Sequence, residues 1–252
     1  MSPAVEARGL SFRYPDGTAA LTKVTFSVGA GECVGLLGPN GSGKSTLLHH
    51  LNGILPERLP AAEGQVCIEG LTVTGENVAT IRRRAGLLFQ DADDQLFCST
   101  VREDVAFGPT QLGLAPDEVA RRVDDALSQV GLMALAHRPP HHLSTGEKRR
   151  ACLAGILACT PGVLLLDEPT SGLDPRGRRE LISLLREIDA TKLIATHDLE
   201  LVVELCPRSI ILDAGRVVCD GTTIVLLNDE SLMLAHGLER PHILQHRHPH
   251  ER

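Results

Sequence analysis

The sequence predicts an α/β fold: an open, mostly parallel sheet, with an antiparallel β region before it and a helical insertion within it. Three observations carry that expectation. Cys33, Val34, Gly35, Leu36 and Leu37 form a short apolar run that enters a glycine-rich loop, and Leu47, Leu48 and Leu51 continue beyond it at helical spacing. Val163, Leu164, Leu165 and Leu166 are branched apolar residues of the kind buried on both faces of a parallel sheet, and residues 193–196 repeat the pattern. Between these runs the composition shifts towards helix over roughly residues 91–160, where Val119, Val123, Leu127 and Val130 make an apolar stripe.

Taken from the N-terminus, residues 5–26 alternate loosely around the turn signal Tyr14-Pro15-Asp16-Gly17 and predict an antiparallel hairpin. Tyr14 reads either as packing at a strand end or as a flat face on which an adenine stacks. Residues 38–46, GPNGSGKST, fit the pattern G-x-x-x-x-G-K-[ST]. Glycines 38, 41 and 43 let the backbone curl with successive N–H groups inward, the helix start adds positive potential, and Lys44 adds a point charge. That combination suits the phosphates of a nucleoside triphosphate, and Ser45 is placed to hold magnesium. Asn52-Gly53 predicts the helix stop, and residues 65–70 predict a further strand.

Residues 86–89 predict a buried strand ending at Gln90, at the edge where open parallel sheets bind ligands. The acidic tract 91–95 follows, then the exposed-looking apolar pair Leu96 and Phe97. Pro116, with Asp117 and Glu118 behind it, predicts a helix start that Gly131 closes. Ser144 and Glu147 match the capping box S-x-x-E and predict a second helix. Asp167 and Glu168 stand where the 163–166 run leaves the sheet. Given the phosphate loop upstream, Asp167 reads as the magnesium-side acid and Glu168 as the base that orients and deprotonates an attacking water. His197 ends the next strand, and residues 210–218 predict a closing hairpin.

Composition sets limits on function. The 252 residues are 42% hydrophobic and 23% charged, as in ordinary globular chains, and no apolar run approaches the ~18 residues of a membrane span. The N-terminus lacks a signal-peptide apolar core, so a cytoplasmic chain is expected. A net charge of −7 argues against nucleic acid as a partner. Seven cysteines without a C-x-x-C pair suit buried thiols in a reducing compartment.

The ordered set GPNGSGKST, Gln90, LSTGE, LLLDEP, Ser171-Gly172-Leu173-Asp174 and His197 resembles the ATP-binding-cassette (ABC) ATPases over about residues 5–225. Within that family FQDADDQLF and HHLSTGEKRR are similar to energy-coupling-factor transporters, the cobalt and nickel importer ATPases most of all. The resemblance implies a P-loop NTPase (RecA-like) core with an antiparallel β subdomain and an inserted helical subdomain at about residues 91–160. It implies a single ABC ATPase domain over residues 1–225 and a C-terminal extension, 226–252, with a His-rich tail.

ATP and Mg2+ are the implied cofactors. Tyr14, Gly38, Pro39, Asn40, Gly41, Ser42, Gly43, Lys44, Ser45 and Thr46 are the implied nucleotide contacts, with Tyr14 as the adenine platform. Ser45, Gln90 and Asp167 would hold the magnesium, and Glu168, His197 and Gln90 would form the catalytic set. Ser144, Thr145, Gly146 and Asp174 would act in trans on a second ABC ATPase subunit. A homodimer is favoured because every hydrolytic residue is present on this chain. The implied partners are an integral membrane coupling protein and a substrate-binding membrane subunit, which would place the chain at the cytoplasmic face of the cell membrane.

The alternatives are a soluble ABC ATPase not coupled to transport, a vitamin importer ATPase of the same type, and a binding module that closes on ATP without turnover. One departure bears on rate: the family's usual LSGGQ is here LSTGE, with Thr145 and Glu147 in place of glycine and glutamine. His242, His246, His248 and His250 lean towards a metal cation, yet Pro241 and Pro249 disfavour a fixed helix, so at most a weak site is expected there.

Overall fold

In the computed structural model, which describes residues 2–56, 63–239 and 241, β1 (Val5–Arg13) and β2 (Ala19–Val28) pair antiparallel as the sequence predicts. Gly17 N–H donates to Tyr14 O at 2.9 Å and closes the turn between them. β4 (Glu63–Ile68) adds to the other side of β1 and carries β5 (Leu71–Thr72), giving the order β2-β1-β4-β5.

The larger sheet contains β3 (Cys33–Leu37), β6 (Ala85–Leu88), β7 (Val163–Asp167), β8 (Thr191–Ala195), β9 (Arg208–Asp213) and β10 (Arg216–Thr222). Its order is β10-β9-β3-β8-β7-β6, parallel throughout except for the β9–β10 hairpin. Register fixes where these strands end. Leu36 stands opposite Ala195, Asp167 opposite Ala195, and Leu88 opposite Leu166. The residues that follow, Gly38, Gln90, Glu168 and His197, therefore leave the sheet along one edge.

Alternation along the buried strands sorts side chains between two cores. Val34, Leu36, Val163, Leu165, Leu193 and Ala195 pack with the small sheet and with Leu47, Leu48 and Leu51 of α1 (Lys44–Leu51). Leu164, Leu166 and Ile194 face the helices on the other side. All five residues of β7 are buried, and each leucine so removed from water contributes about 1.5–3 kcal/mol. This double burial anchors the edge on which Asp167 sits.

Between β6 and β7 lie α3 (Val101–Gln111), α4 (Pro116–Gln129) and α5 (Thr145–Leu157). α4 begins at Pro116, buries Val123, Ala126 and Leu127, and stops just before Gly131 at φ +71°, as its stripe and punctuation predict. α3 was not foreseen, although Thr100 and Glu103 form a reciprocal capping box at its start. α2 (Val78–Arg84), α6 (Pro175–Glu187) and α7 (Leu199–Leu205) complete the body. α8 (Thr223–Asn228) and α9 (Glu230–Ala235) then return Leu227, Met233 and Leu238 to the helix-side core. All seven cysteines are free thiols. Among the described residues no helix is long and apolar enough to cross a membrane. His242, His246, His248 and His250 fall outside the described residues.

Candidate active site

The phosphate loop is held by close backbone approach. A Cβ at Gly38 would lie 2.0 Å from Leu212 O, and one at Gly43 2.6 Å from Ala20 O, at φ of +151° and +104°. Only glycine fits both constraints. Lys44 is buried, and its Nζ donates to Gly38 O at 2.8 Å and Pro39 O at 3.1 Å, so the ammonium braces the loop from within. Burial lowers the Lys44 pKa, while Glu168 and Asp167 act in the opposite sense. Thr46 Oγ1 lies 3.0 Å from Tyr14 Oη, which ties the β1–β2 turn to α1. The Tyr14 ring is half-buried and meets Phe12 edge-on at 5.0 Å.

A cavity of about 530 Å³ opens at this point, lined by Tyr14, Asn40, Gly41, Gly43, Lys44, Ser45, Thr46, Gln90, Asp167, Glu168 and His197, with Thr18, Ala19 and Ala20. Most of the cis residues predicted from sequence thus share one space. Gly38, Pro39 and Ser42 are not among its lining residues.

Asp167 is 3% exposed, and its Oδ1 has no partner among the described residues. Burial raises its pKa, a hydrogen bond with Ser45 opposes that, and the Glu168 charge adds to the rise. A buried carboxylate oxygen left open beside a hydroxyl and the Gln90 amide is a hard oxygen donor set that fits Mg2+.

Glu168 takes a left-handed backbone, φ +45°, immediately after β7. Such strain costs on the order of 1 kcal/mol or more and persists only where surrounding contacts fix it. Here they do. Its N–H donates to Ala195 O at 2.8 Å, and its carboxylate accepts from Thr196 Oγ1 at 2.9 Å and from His197 N–H at 3.1 Å. His197 Nδ1 lies 2.9 Å from Glu168 Oε2, while most of the imidazole is open to solvent. Glu168 and His197 therefore form one unit at the mouth of the cavity.

The residues expected to act in trans gather elsewhere. Ser144 caps α5: its Oγ accepts from Glu147 N–H at 3.3 Å, and Glu147 Oε2 accepts from Ser144 N–H at 2.8 Å. The capping box and the exposed placement occur together. Ser144, Thr145, Gly146 and Asp174 line a second cavity of about 290 Å³ that contains none of the phosphate-loop residues. Asp174 is itself a cap, accepting from Gly177 N–H at 2.7 Å at the start of α6.

Three supporting residues escaped the sequence reading. Thr196 is fully buried and orients the Glu168 carboxylate. Asp198 accepts from Thr170 Oγ1 at 2.9 Å, from Arg178 and from Leu201 N–H. Burial pushes the Asp198 pKa up, but those donors outweigh it and hold the carboxyl below its ordinary value. Its position before the run 199–205 was a readable N-cap signal. Arg149, 4% exposed, donates to the carbonyls of Phe89 and Gln90 at 2.7 Å each.

Phosphate loop, carboxylate pair and sheet edge together define a nucleoside-triphosphate-hydrolysing enzyme. The family model described as ABC transporter matches residues 21–171. A relative from Carboxydothermus hydrogenoformans, named energy-coupling factor transporter ATP-binding protein EcfA, is 46% identical over 244 residues, 96% of this chain and 88% of the other. The solved structure of cbiO1 from Clostridium perfringens, described as part of the ABC transporter complex cbiONQ, has a TM-score of 0.81 at 35% identity, covering 97% of this chain and 98% of that one. The ATP-binding cassette MJ0796, solved as a dimer in a post-hydrolysis state with ADP and Pi, has a TM-score of 0.77 at 27% identity, covering 87% and 98%. The chain belongs to the ABC transporter family, as an ATP-hydrolysing subunit of the energy-coupling-factor type.

Proposed function

We propose that this chain powers import through a membrane complex by closing head-to-tail on a second ABC ATPase subunit, a homodimer in the simplest case. The observation that carries this reading is the division of the site between two faces. The cavity at Lys44, Asp167 and Glu168 and the cavity at Ser144, Thr145 and Gly146 share no residue. A helix N-terminus open to solvent in one subunit is a ready anion site for the phosphate held by its partner.

In this reading the phosphate loop and Lys44 hold the phosphates, and Tyr14 offers its ring face to the adenine. Magnesium held by Ser45, Gln90 and Asp167 would offset charge on the phosphate oxygens. Glu168, aimed by Thr196 and by the His197 N–H, takes the proton of the attacking water, and the exposed His197 imidazole faces the γ-phosphate. ATP hydrolysis needs little covalent help, so positioning and charge account for most of the rate.

For docking, Phe97 is 64% exposed and meets Phe107, 45% exposed, edge-on at 4.9 Å. Phe97 is thus surface and not helical core, whereas Leu96 is half-buried against the helices. Both line a groove of about 300 Å³ between α3, α5 and β6. We assign this groove to the integral membrane coupling protein, with a substrate-binding membrane subunit beyond it, and place the chain at the cytoplasmic face of the cell membrane. For cargo we propose cobalt or nickel ions, supported by the segments FQDADDQLF and HHLSTGEKRR. Mild detergent extraction of the tagged chain should recover integral membrane proteins, and the purified complex in vesicles should take up labelled cobalt or nickel only with ATP. Recovery of the chain without any membrane protein would overturn the transport reading. Uptake of another cargo would overturn the metal assignment alone.

A further inference from the structure

We propose that Arg149 is a positioning residue for Gln90, and that through it α5 is tied to the metal side of the nucleotide site. The inference rests on the reading of Gln90 given above. Its basis is an arginine that ordinary packing does not account for. Arg149 lies just over one helical turn beyond Ser144, is 4% exposed, and is aimed inward across the boundary between the helical insertion and the sheet. Nη1 donates to Phe89 O and Nη2 to Gln90 O, both at 2.7 Å, and Nη2 also lies 3.5 Å from Ser171 O. Two parallel charge-assisted bonds fix orientation as well as distance, which lysine cannot reproduce.

What those bonds hold is a short length of chain without other strong fixtures. β6 ends at Leu88, and Phe89 N–H has only a longer contact, 3.3 Å, to Gln95 Oε1. Among the described residues the exposed Gln90 side chain has no hydrogen-bond partner, so backbone placement decides where its amide points. Arg149 also lines a cavity of about 530 Å³ with Ser45, Gln90, Asp91 and Asp167. Burial lowers the arginine's pKa, while Cys152, Asp91, Asp167 and Glu168 act against that. A guanidinium at this spot therefore does two things: it fixes the Gln90 carbonyl, and it offsets the crowding of carboxylates around the metal position. Because the same helix carries Ser144 to Gly146 at its exposed start, a shift of Gln90 onto the metal would pull on the face presented to the second subunit.

The test uses the full chain with Q90A, R149M, R149K, and the double variants Q90A/R149M and Q90A/R149K. Binding of a fluorescent ATP analogue is titrated with Mg2+, alongside turnover and melting temperature. Without magnesium, binding should stay near wild type in every folded variant. R149M should raise the magnesium concentration for half-saturation by roughly 10–100-fold, as loss of an outer support commonly does. Turnover should fall about 10²-fold, the scale of a small misplacement. Q90A should do the same, and Q90A/R149M should be no worse than either single change, since both remove one function. R149K, able to reach one carbonyl, should recover part of the loss. Losses that multiply in the double variant, or a folded R149M with wild-type magnesium dependence, overturn the inference and leave Gln90 standing. If Q90A itself behaves as wild type, the reading of Gln90 falls and this inference with it. Should R149M not fold, R149K decides: full wild-type behaviour, or losses that multiply in Q90A/R149K, refutes the proposal.

Discussion

Replacing Glu168 with Gln isolates the chemistry from the binding. In the structure the Glu168 carboxylate accepts from Thr196 Oγ1 at 2.9 Å and from His197 N–H at 3.1 Å, with His197 Nδ1 at 2.9 Å. With its amide nitrogen in the place of Oε2, a glutamine keeps the His197 N–H bond at Oε1, and the amide can donate to a neutral His197 Nδ1 and to the Thr196 hydroxyl oxygen. The left-handed backbone and the shape of the cavity should therefore survive, and ATP affinity should stay near wild type, because the lost function acts in the transition state. Loss of a positioned base costs ~10²–10⁴ in rate, or about 3–5 kcal/mol. Phosphate release at saturating ATP and Mg2+ measures that fall. Unhydrolysed ATP should then hold two chains together, and size-exclusion chromatography with ATP and Mg2+ should show a dimer that the nucleotide-free protein does not form. A rate within tenfold of wild type would remove Glu168 from the role of base. An inactive variant that stays monomeric with ATP bound would contradict head-to-tail closure.

Other substitutions test separate parts of the reading. Thr145→Gly changes an exposed residue in the first turn of α5, where glycine costs at most ~1 kcal/mol of helix stability. Turnover should change severalfold while the ATP affinity of the monomer does not, since the side chain lies in the other cavity; altered monomer affinity with unchanged turnover would place Thr145 elsewhere. Phe97→Ser removes one edge-on aromatic contact, about 0.5–1.5 kcal/mol, so the melting temperature should drop by no more than about 6 °C while soluble ATPase activity persists and transport is uncoupled. A larger drop would show Phe97 to be part of the core. Asp167→Asn removes a carboxyl whose pKa is raised by burial. The protonated acid suits its site, and that stability is lost as pH rises through the raised pKa, so the ionised group is a cost at neutral pH. The variant should melt higher at pH 7 and lose magnesium-dependent hydrolysis. The gain should shrink as pH falls to the ordinary carboxylate range; a lower melting temperature at pH 7 would refute the account.

How far the sequence could be read depended on whether the signal was local. Strands β3, β7 and β8 were legible because double burial leaves uninterrupted branched apolar runs, and α4 because Pro116, its stripe and Gly131 agree. α2, α3 and β5 were not. β5 has two residues, and the buried face of α3, Val101, Asp104, Val105 and Pro109, has helical spacing but includes a carboxylate and a proline, so no apolar stripe announces it. Its capping box, Thr100 and Glu103, was the one usable signal, and it lay beyond the tract 91–95 read for acidity.

The site divides along the same line. Phosphate loop, Asp167 and Glu168 could be placed because each follows directly on a strand whose end was visible. Thr196 acts on a carboxylate 28 residues away and Arg149 on a carbonyl 59 residues away, and no periodicity encodes either meeting. Ser144 is the instructive intermediate. Read locally it is a cap, and read by resemblance it is a phosphate ligand for another subunit. The two readings are compatible. The Ser144 hydroxyl lies 2.8 Å from Glu147 Oε2 and accepts from the Glu147 N–H, yet the residue remains exposed at the rim of its cavity. The box orders the helix start. In a head-to-tail dimer an arriving phosphate would compete with Glu147 for the same hydroxyl and the same positive helix end. Local stability and function then draw on one set of donors, and the carboxylate at position 147 sets how strongly the empty state holds them.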